Sequence, residues 1–148
     1  MMWDPLSKQA DAVAFADKSS FRAFSAGIKP AAELHPLTLD TLQLSGLEAP
    51  NLRPASVREF LASEAPAMDF VIGMGSGAAA TLQNWPGNPI KAQWGITDPL
   101  IPGGEVVVQR NAFRRAFREL ENRIRLFVLL RHQLSSATNR AERPAQTA

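Results

Sequence analysis

The chain has 148 residues, of which 45% are hydrophobic and 20% charged, as in one ordinary globular domain. It contains no cysteine, which excludes disulfides, thiolate nucleophiles and cysteine metal sites, and with only two histidines no metal site or cofactor is expected. The net charge of +2 is too small to indicate nucleic-acid binding. The chain shows neither a membrane-spanning apolar run nor a secretory signal, so we expect a cytoplasmic protein.

A helix and a short strand are predicted near the N-terminus. Residues 5–16 suit a helix, because Asp4 can cap it, Pro5 fits its first position and small apolar residues recur at helical spacing. Residues 21–25 alternate between apolar and polar side chains and stop shortly before Gly27. This alternation predicts a strand followed by a turn.

Two further helices are predicted before the middle of the chain. Apolar residues within 35–47 lie on one helical face, and His35 stands before a proline, where it can cap the helix. Residues 55–65 predict another helix, because Ser56 and Glu59 have the spacing of a capping box.

The second half of the chain predicts two strands and a long helix. The continuous apolar run at 69–73 is typical of a strand buried on both faces, and 90–94 is a second strand candidate. Residues 109–134 predict a helix whose buried stripe follows a spacing of three and four: Phe113, Phe117, Leu120, Ile124 and Phe127. We therefore expect one domain over residues 1–134 and a disordered tail over 135–148.

Strands that alternate with helices predict an α/β domain with a mainly parallel sheet. The long helix is rich in arginine, which invites a nucleic-acid interpretation. Glu119 and Glu121 lie on the same helix, so a solvated charged face is the favoured explanation. Nucleic-acid binding remains the least supported alternative.

Six segments in the same order resemble the thioredoxin-coupled arsenate reductases, which share their fold with the low-molecular-weight protein tyrosine phosphatases. The segments are "FRAFSAG", "HPLTLDTLQLSGL", "LRPASVREF", "MDFVIGM", "NWPGNPIKAQWGITDP" and "AFRRAFRELENRIRLFVLL". The likeness runs from about Ala10 to Leu130. It implies a three-layer, doubly wound parallel sheet of the low-molecular-weight phosphatase type.

The active site that this resemblance implies is incomplete in the chain. The family's first loop has the form Cys-x5-Arg, in which backbone N–H groups and the arginine bind an oxyanion that the thiolate attacks. Here Leu6 stands where the arginine belongs, Ser7 falls near the serine that follows it, and the cysteine position precedes Met1. Asp98, before Pro99, matches the family's general acid, although Asp-Pro is also a common turn.

A glycine-rich loop follows the 69–73 strand, and Gly75 falls near the family's resolving cysteine. Its spacing is not that of a dinucleotide-binding fingerprint. The favoured interpretation is that the glycines allow a tight strand-to-helix connection. The alternative is weak anion binding by the exposed N–H groups of Gly75, Ser76 and Gly77.

The family's first strand also has no counterpart, because only about five residues precede the predicted helix 5–16. Either the 21–25 strand pairs directly with the 69–73 strand, or another chain supplies the missing strand, or the fold is unstable alone. An exposed sheet edge would allow a protein partner or a homodimer. Trp3 would fill the vacated anion pocket or, alternatively, anchor a partner.

These observations together predict a family member that has lost catalysis and acts, if at all, as a binding or regulatory protein. The alternative is an arsenate reductase or tyrosine phosphatase whose cysteine loop comes from a longer N-terminus or a partner chain. We expect no membrane association, and at most weak oxyanion binding.

Overall fold

The computed structural model of the protein describes residues 21–47, 53–75 and 77–141. Its elements, in chain order, are α1 (Pro36–Leu44), α2 (Arg58–Leu61), β1 (Phe70–Gly73), α3 (Ala78–Gln83), β2 (Ile90–Gln93) and α4 (Val106–Ala141). The order of helices and strands confirms the α/β class. Within the described residues, none of the helices combines the length and the hydropathy that crossing a bilayer requires.

The sheet of the described residues consists of β1 and β2, which pair in parallel. Phe70 lies opposite Ile90 and Gly73 opposite Gln93. Parallel neighbours need a crossover connection, and α3 lies in that connection. Both predicted strands are therefore confirmed, although the first three residues of β1 are half-buried and most of β2 is exposed.

The predicted strand at 21–25 is not formed. This segment is irregular, and only Gly27 makes an isolated parallel bridge, to Ser56. Phe21 packs against the ring of Phe127 at 6.2 Å between centroids, whereas Phe24 packs against Phe60 at 5.4 Å. The two rings thus pack on different helices, so the segment is held by side-chain contacts rather than by a ladder. The interpretation in which it pairs with the 69–73 strand is wrong.

Both middle helices form, but the second is much shorter than predicted. In α1, His35 is the N-cap as predicted, and its Nδ1 accepts a hydrogen bond from the Leu37 N–H at 3.2 Å. In α2, the capping-box residue Glu59 accepts from the Ser56 N–H at 3.1 Å. That helix ends at Leu61, because the next residue is already extended, so most of the predicted 55–65 helix is irregular.

The long helix α4 begins at Val106 and continues to Ala141. The predicted boundary between domain and tail, at 134–135, therefore falls inside this helix, and residues 142–148 lie outside the described part. The predicted stripe is confirmed in its first four members, which are buried, while Phe127 is half-buried. Ala116 and Val128 complete the buried face.

The main core lies between α4 and the segments that follow the two strands. Its buried members are Ile96, Ala116, Leu120, Ile124 and Val128, and Phe21, Met74, Trp94 and Phe127 pack against them. At the other end of the helix, the His35 ring stacks on Phe113 with 4.9 Å between centroids, which joins α1 to α4. The helix thereby fixes the loops at the carboxyl ends of both strands.

Candidate functional site

The loops that follow β1 and β2 meet at the carboxyl edge of the sheet. The Ile96 N–H donates to the Met74 carbonyl at 2.8 Å, and Gln93 Nε2 donates to the Gly75 carbonyl at 2.6 Å. In open α/β sheets, ligands bind outside the carboxyl ends of the strands. We therefore take this edge as the candidate site, and Gly75, Gly77 and Asp98 all lie on loops that start there.

The three described glycines of the first loop have different surroundings. A Cβ at Gly73 would lie 2.8 Å from Ala78 Cβ and 2.9 Å from Leu82 Cδ1, so the close approach of α3 to β1 requires glycine at this position. At Gly75 and Gly77 a Cβ would meet nothing within 4 Å. Tight packing thus explains Gly73 but leaves the choice of glycine at the other two positions unexplained.

The loop itself is closed by hydrogen bonds of its backbone. The Gly75 carbonyl accepts from the Ala78 N–H at 3.1 Å as well as from Gln93, and Gly77 stands at the N-cap of α3 without a side-chain cap. Ser76 lies outside the described residues. Lys91, the basic residue of β2, donates to the Gln83 carbonyl at 3.3 Å, at the far end of α3 from this loop.

Asp98 is exposed and forms a turn of its own. Its Oδ1 accepts a hydrogen bond from the Leu100 N–H at 2.9 Å, across the buried Pro99. A side chain that accepts from the backbone two residues later is an Asx turn, which is the structural interpretation of the Asp-Pro pair. Among the described residues, no salt bridge involves this carboxylate.

The candidate site of the described residues thus contains backbone donors, one amide side chain and one carboxylate. Ser7 and Trp3 lie outside the described part, so their relation to this edge stays a prediction. No group of three or more acidic or histidine side chains in the described ranges could hold a metal ion. Gln93 was missed by the sequence interpretation, because a polar residue at a strand end gives no signal that its amide closes a loop eighteen residues away.

Another polar contact lies beside α2, away from the sheet edge. Arg53 Nη2 lies 2.9 Å from Glu59 Oε2, and both side chains are largely exposed. The hydrogen bond from the Arg53 guanidinium, together with the one from the Ser56 N–H, lowers the pKa of the Glu59 carboxyl below its ordinary value of 4.5. The pair supports the start of α2 and has no reactive neighbour to serve.

Comparison with known proteins does not place the chain in a family. No family model matches it, and no curated protein matches it. The arrangement at the sheet edge and the content of the sequence therefore carry the functional inference.

Proposed function

We propose that this chain is a catalytically degenerate relative of the arsenate reductases and low-molecular-weight tyrosine phosphatases, acting as a binding or regulatory protein. The single observation that carries the proposal is the absence of cysteine from a chain whose segments follow that family's order. The parallel β1–α3–β2 unit, with α4 packed against its carboxyl edge, supports this relation. A three-layer, doubly wound sheet is part of the proposal.

The loss of catalysis follows from the chemistry that the family's reaction needs. A thiolate must attack the oxyanion, and an arginine must hold it. Removal of either group costs orders of magnitude in rate. Asp98 could only protonate a leaving group, and its carboxylate is engaged in the turn to Leu100. What remains at the edge are backbone N–H groups near Gly75 and Gly77, which could bind a tetrahedral anion weakly.

The test measures turnover and anion binding on the same preparation. Aryl phosphate hydrolysis and thioredoxin-coupled arsenate reduction should both equal the background without protein. Phosphate, arsenate and vanadate are then titrated calorimetrically, and dissociation constants no tighter than about 1 mM are expected for binding through neutral backbone donors.

The matched control is Asp98→Asn, which keeps an Oδ1 acceptor for the Leu100 N–H and removes only the acid. Turnover by the unmodified chain that disappears in this variant would show a working general acid and overturn the proposal. Equal background rates in both proteins would support it.

The alternative is a working reductase or phosphatase whose Cys-x5-Arg loop comes from a longer N-terminus or from a partner chain. The observation in its favour is that Asp98 stays exposed at the same edge as Gly75. Under this alternative, an extended gene product or a mixture with the partner would show activity. That activity would fall in Asp98→Asn by the 10²–10⁴-fold typical of general acids.

A further inference from the structure

Three leucines of α4 form an exposed apolar surface on one turn of the helix. Leu126, Leu129 and Leu130 are 60%, 59% and 58% exposed, although the same stretch of helix contains the buried Ile124 and Val128. We call these three residues the leucine surface. The largest apolar patch of a typical monomer covers about 300–600 Å² and often contacts another segment or protein.

A second copy of the chain is a poor occupant on grounds of area. Three leucines that are about 60% exposed offer roughly 300 Å² of surface, against about 800 Å² per partner in a stable interface. A segment of the same chain does not need that area, because a short tether holds it near the surface at an effective concentration of about 1 mM or more.

The described chain starts beside the leucine surface. Phe21, its first residue, packs edge-on against Phe127 with 6.2 Å between ring centroids. Phe127 is next in sequence to Leu126 and three residues before Leu130. The N-terminal segment, residues 1–20, is therefore joined to the fold within one helical turn of the leucine surface.

The sequence of this N-terminal segment has the pattern that such a surface would take. Leu6, Ala10, Val13 and Ala14 recur at helical spacing within 5–16, and the stripe is mostly small, which suits close approach to protruding leucines. The connection 17–20 has four residues and spans at most about 14 Å. A helix over 5–16 would be about 18 Å long. With this connection, the helix can reach the leucine surface while Phe21 keeps its contact with Phe127.

We propose that residues 5–16 pack this apolar stripe onto the leucine surface of α4. The contact covers Leu126, Leu129 and Leu130 and makes the N-terminal segment part of the folded domain. The proposal rests on the exposed leucines, the position of Phe21 and the spacing of the apolar stripe. It does not depend on the proposed function.

Because the natural chain lacks cysteine, paired cysteine substitutions in the full chain test this contact directly. Ala14→Cys combined with Leu126→Cys or Leu130→Cys should form an intramolecular disulfide under mild oxidation, at least tenfold faster than two control pairs. One control pairs Ala14→Cys with Val107→Cys, an exposed site on α4 about 28 Å from Leu126 along the helix axis. The other pairs Leu130→Cys with Lys8→Cys, on the opposite face of the predicted helix.

The outcomes separate the occupants of the surface. Selective intramolecular cross-linking of the Ala14 pairs supports the proposal. Disulfide-linked dimers of the single Leu130→Cys variant that form at least tenfold faster than those of the single Val107→Cys variant would identify a second copy and overturn it. Equal rates in all pairs, or no cross-link in any, would show that the segment does not dock and would also overturn it.

Hydrogen exchange gives a second measurement that requires no cysteine. In the unmodified chain, amides within 8–16 should exchange at least tenfold more slowly than in an unstructured peptide of the same sequence. The substitution Leu130→Asp should remove that protection while the amides of β1 keep theirs, because Leu130 is no part of the core around β1. Unprotected amides in the unmodified chain, or unchanged protection in Leu130→Asp, would contradict the docking.

Discussion

Replacement of Gly73 by alanine should destabilise the protein through one added methyl group. The new Cβ would lie 2.8 Å from Ala78 Cβ, 2.9 Å from Leu82 Cδ1 and 3.1 Å from Gln93 Oε1. Carbon atoms in favourable contact are about 3.5–4.0 Å apart, so these neighbours would have to move by roughly 0.5–1 Å. Ala78 cannot rotate away, because its Cβ is fixed by the backbone of α3.

The magnitude follows from two opposing effects. Forcing an extra methyl group into a packed site costs about 1–3 kcal/mol. Removing a glycine lowers the entropy of the unfolded chain and returns about 0.4–1 kcal/mol. The free energy of unfolding should therefore fall by about 1–2 kcal/mol, which corresponds to a decrease in Tm of about 2–8 °C for a chain of this size.

Urea denaturation followed by circular dichroism measures this difference, with Gly75→Ala as the matched control. Gly75 lies two residues further along the same loop, has no positive φ, and would give its Cβ open space. The control should be as stable as the unmodified protein or slightly more stable. If Gly73→Ala were as stable as Gly75→Ala, the close packing of α3 on β1 would be refuted.

Three other measurements address separate contacts. Leu120→Ala, at the fully buried centre of α4, should lower the free energy of unfolding by about 2–5 kcal/mol in urea denaturation, and a loss below 1 kcal/mol would contradict its place in the core. His35→Ala should cost about 1 kcal/mol through loss of the N-cap, whereas His35→Asn, also a good cap, should retain that part; equal losses in thermal unfolding would argue against capping. Because the pKa of the Glu59 carboxyl is lowered in the folded state, Glu59 stabilises the fold above pH 4.5 and loses this contribution as the pH falls through the folded pKa. A carbon-detected NMR titration should show the pKa of Glu59 rising toward 4.5 in Arg53→Ala. An unchanged pKa in that variant would disprove the pairing.

The sequence predicted those elements that are determined by a spacing or a cap within a few helical turns. The stripe from Phe113 to Ile124 has the period of a helix with one buried face, and it lies buried in α4. His35 before a proline predicted a cap whose hydrogen bond spans two residues. In both cases the information that decides the structure lies within a few turns of the chain.

One failed prediction and one missed hydrogen bond involve residues that are distant in sequence. The alternation at 21–25 suggested a strand, but the segment is irregular and Phe21 packs against Phe127, more than a hundred residues later. The hydrogen bond from Gln93 to Gly75, which closes the candidate site, joins the end of β2 to the loop after β1, and no sequence spacing relates the two. The site could be located at the ends of the strands, but its internal hydrogen bonds could not be foreseen.

The placement of the core on α4 has a consequence for synthesis on the ribosome. Six of the ten buried apolar residues among the described residues lie on this helix: Phe113, Ala116, Phe117, Leu120, Ile124 and Val128. The chain is made from its N-terminus at about 5–20 residues per second, so β1 and β2 leave the ribosome before the helix that covers their carboxyl ends. The nascent protein therefore cannot complete its core until Val128 has emerged, and a premature stop before Leu120 would release a chain whose β1–β2 pair lacks the helix that covers its carboxyl edge.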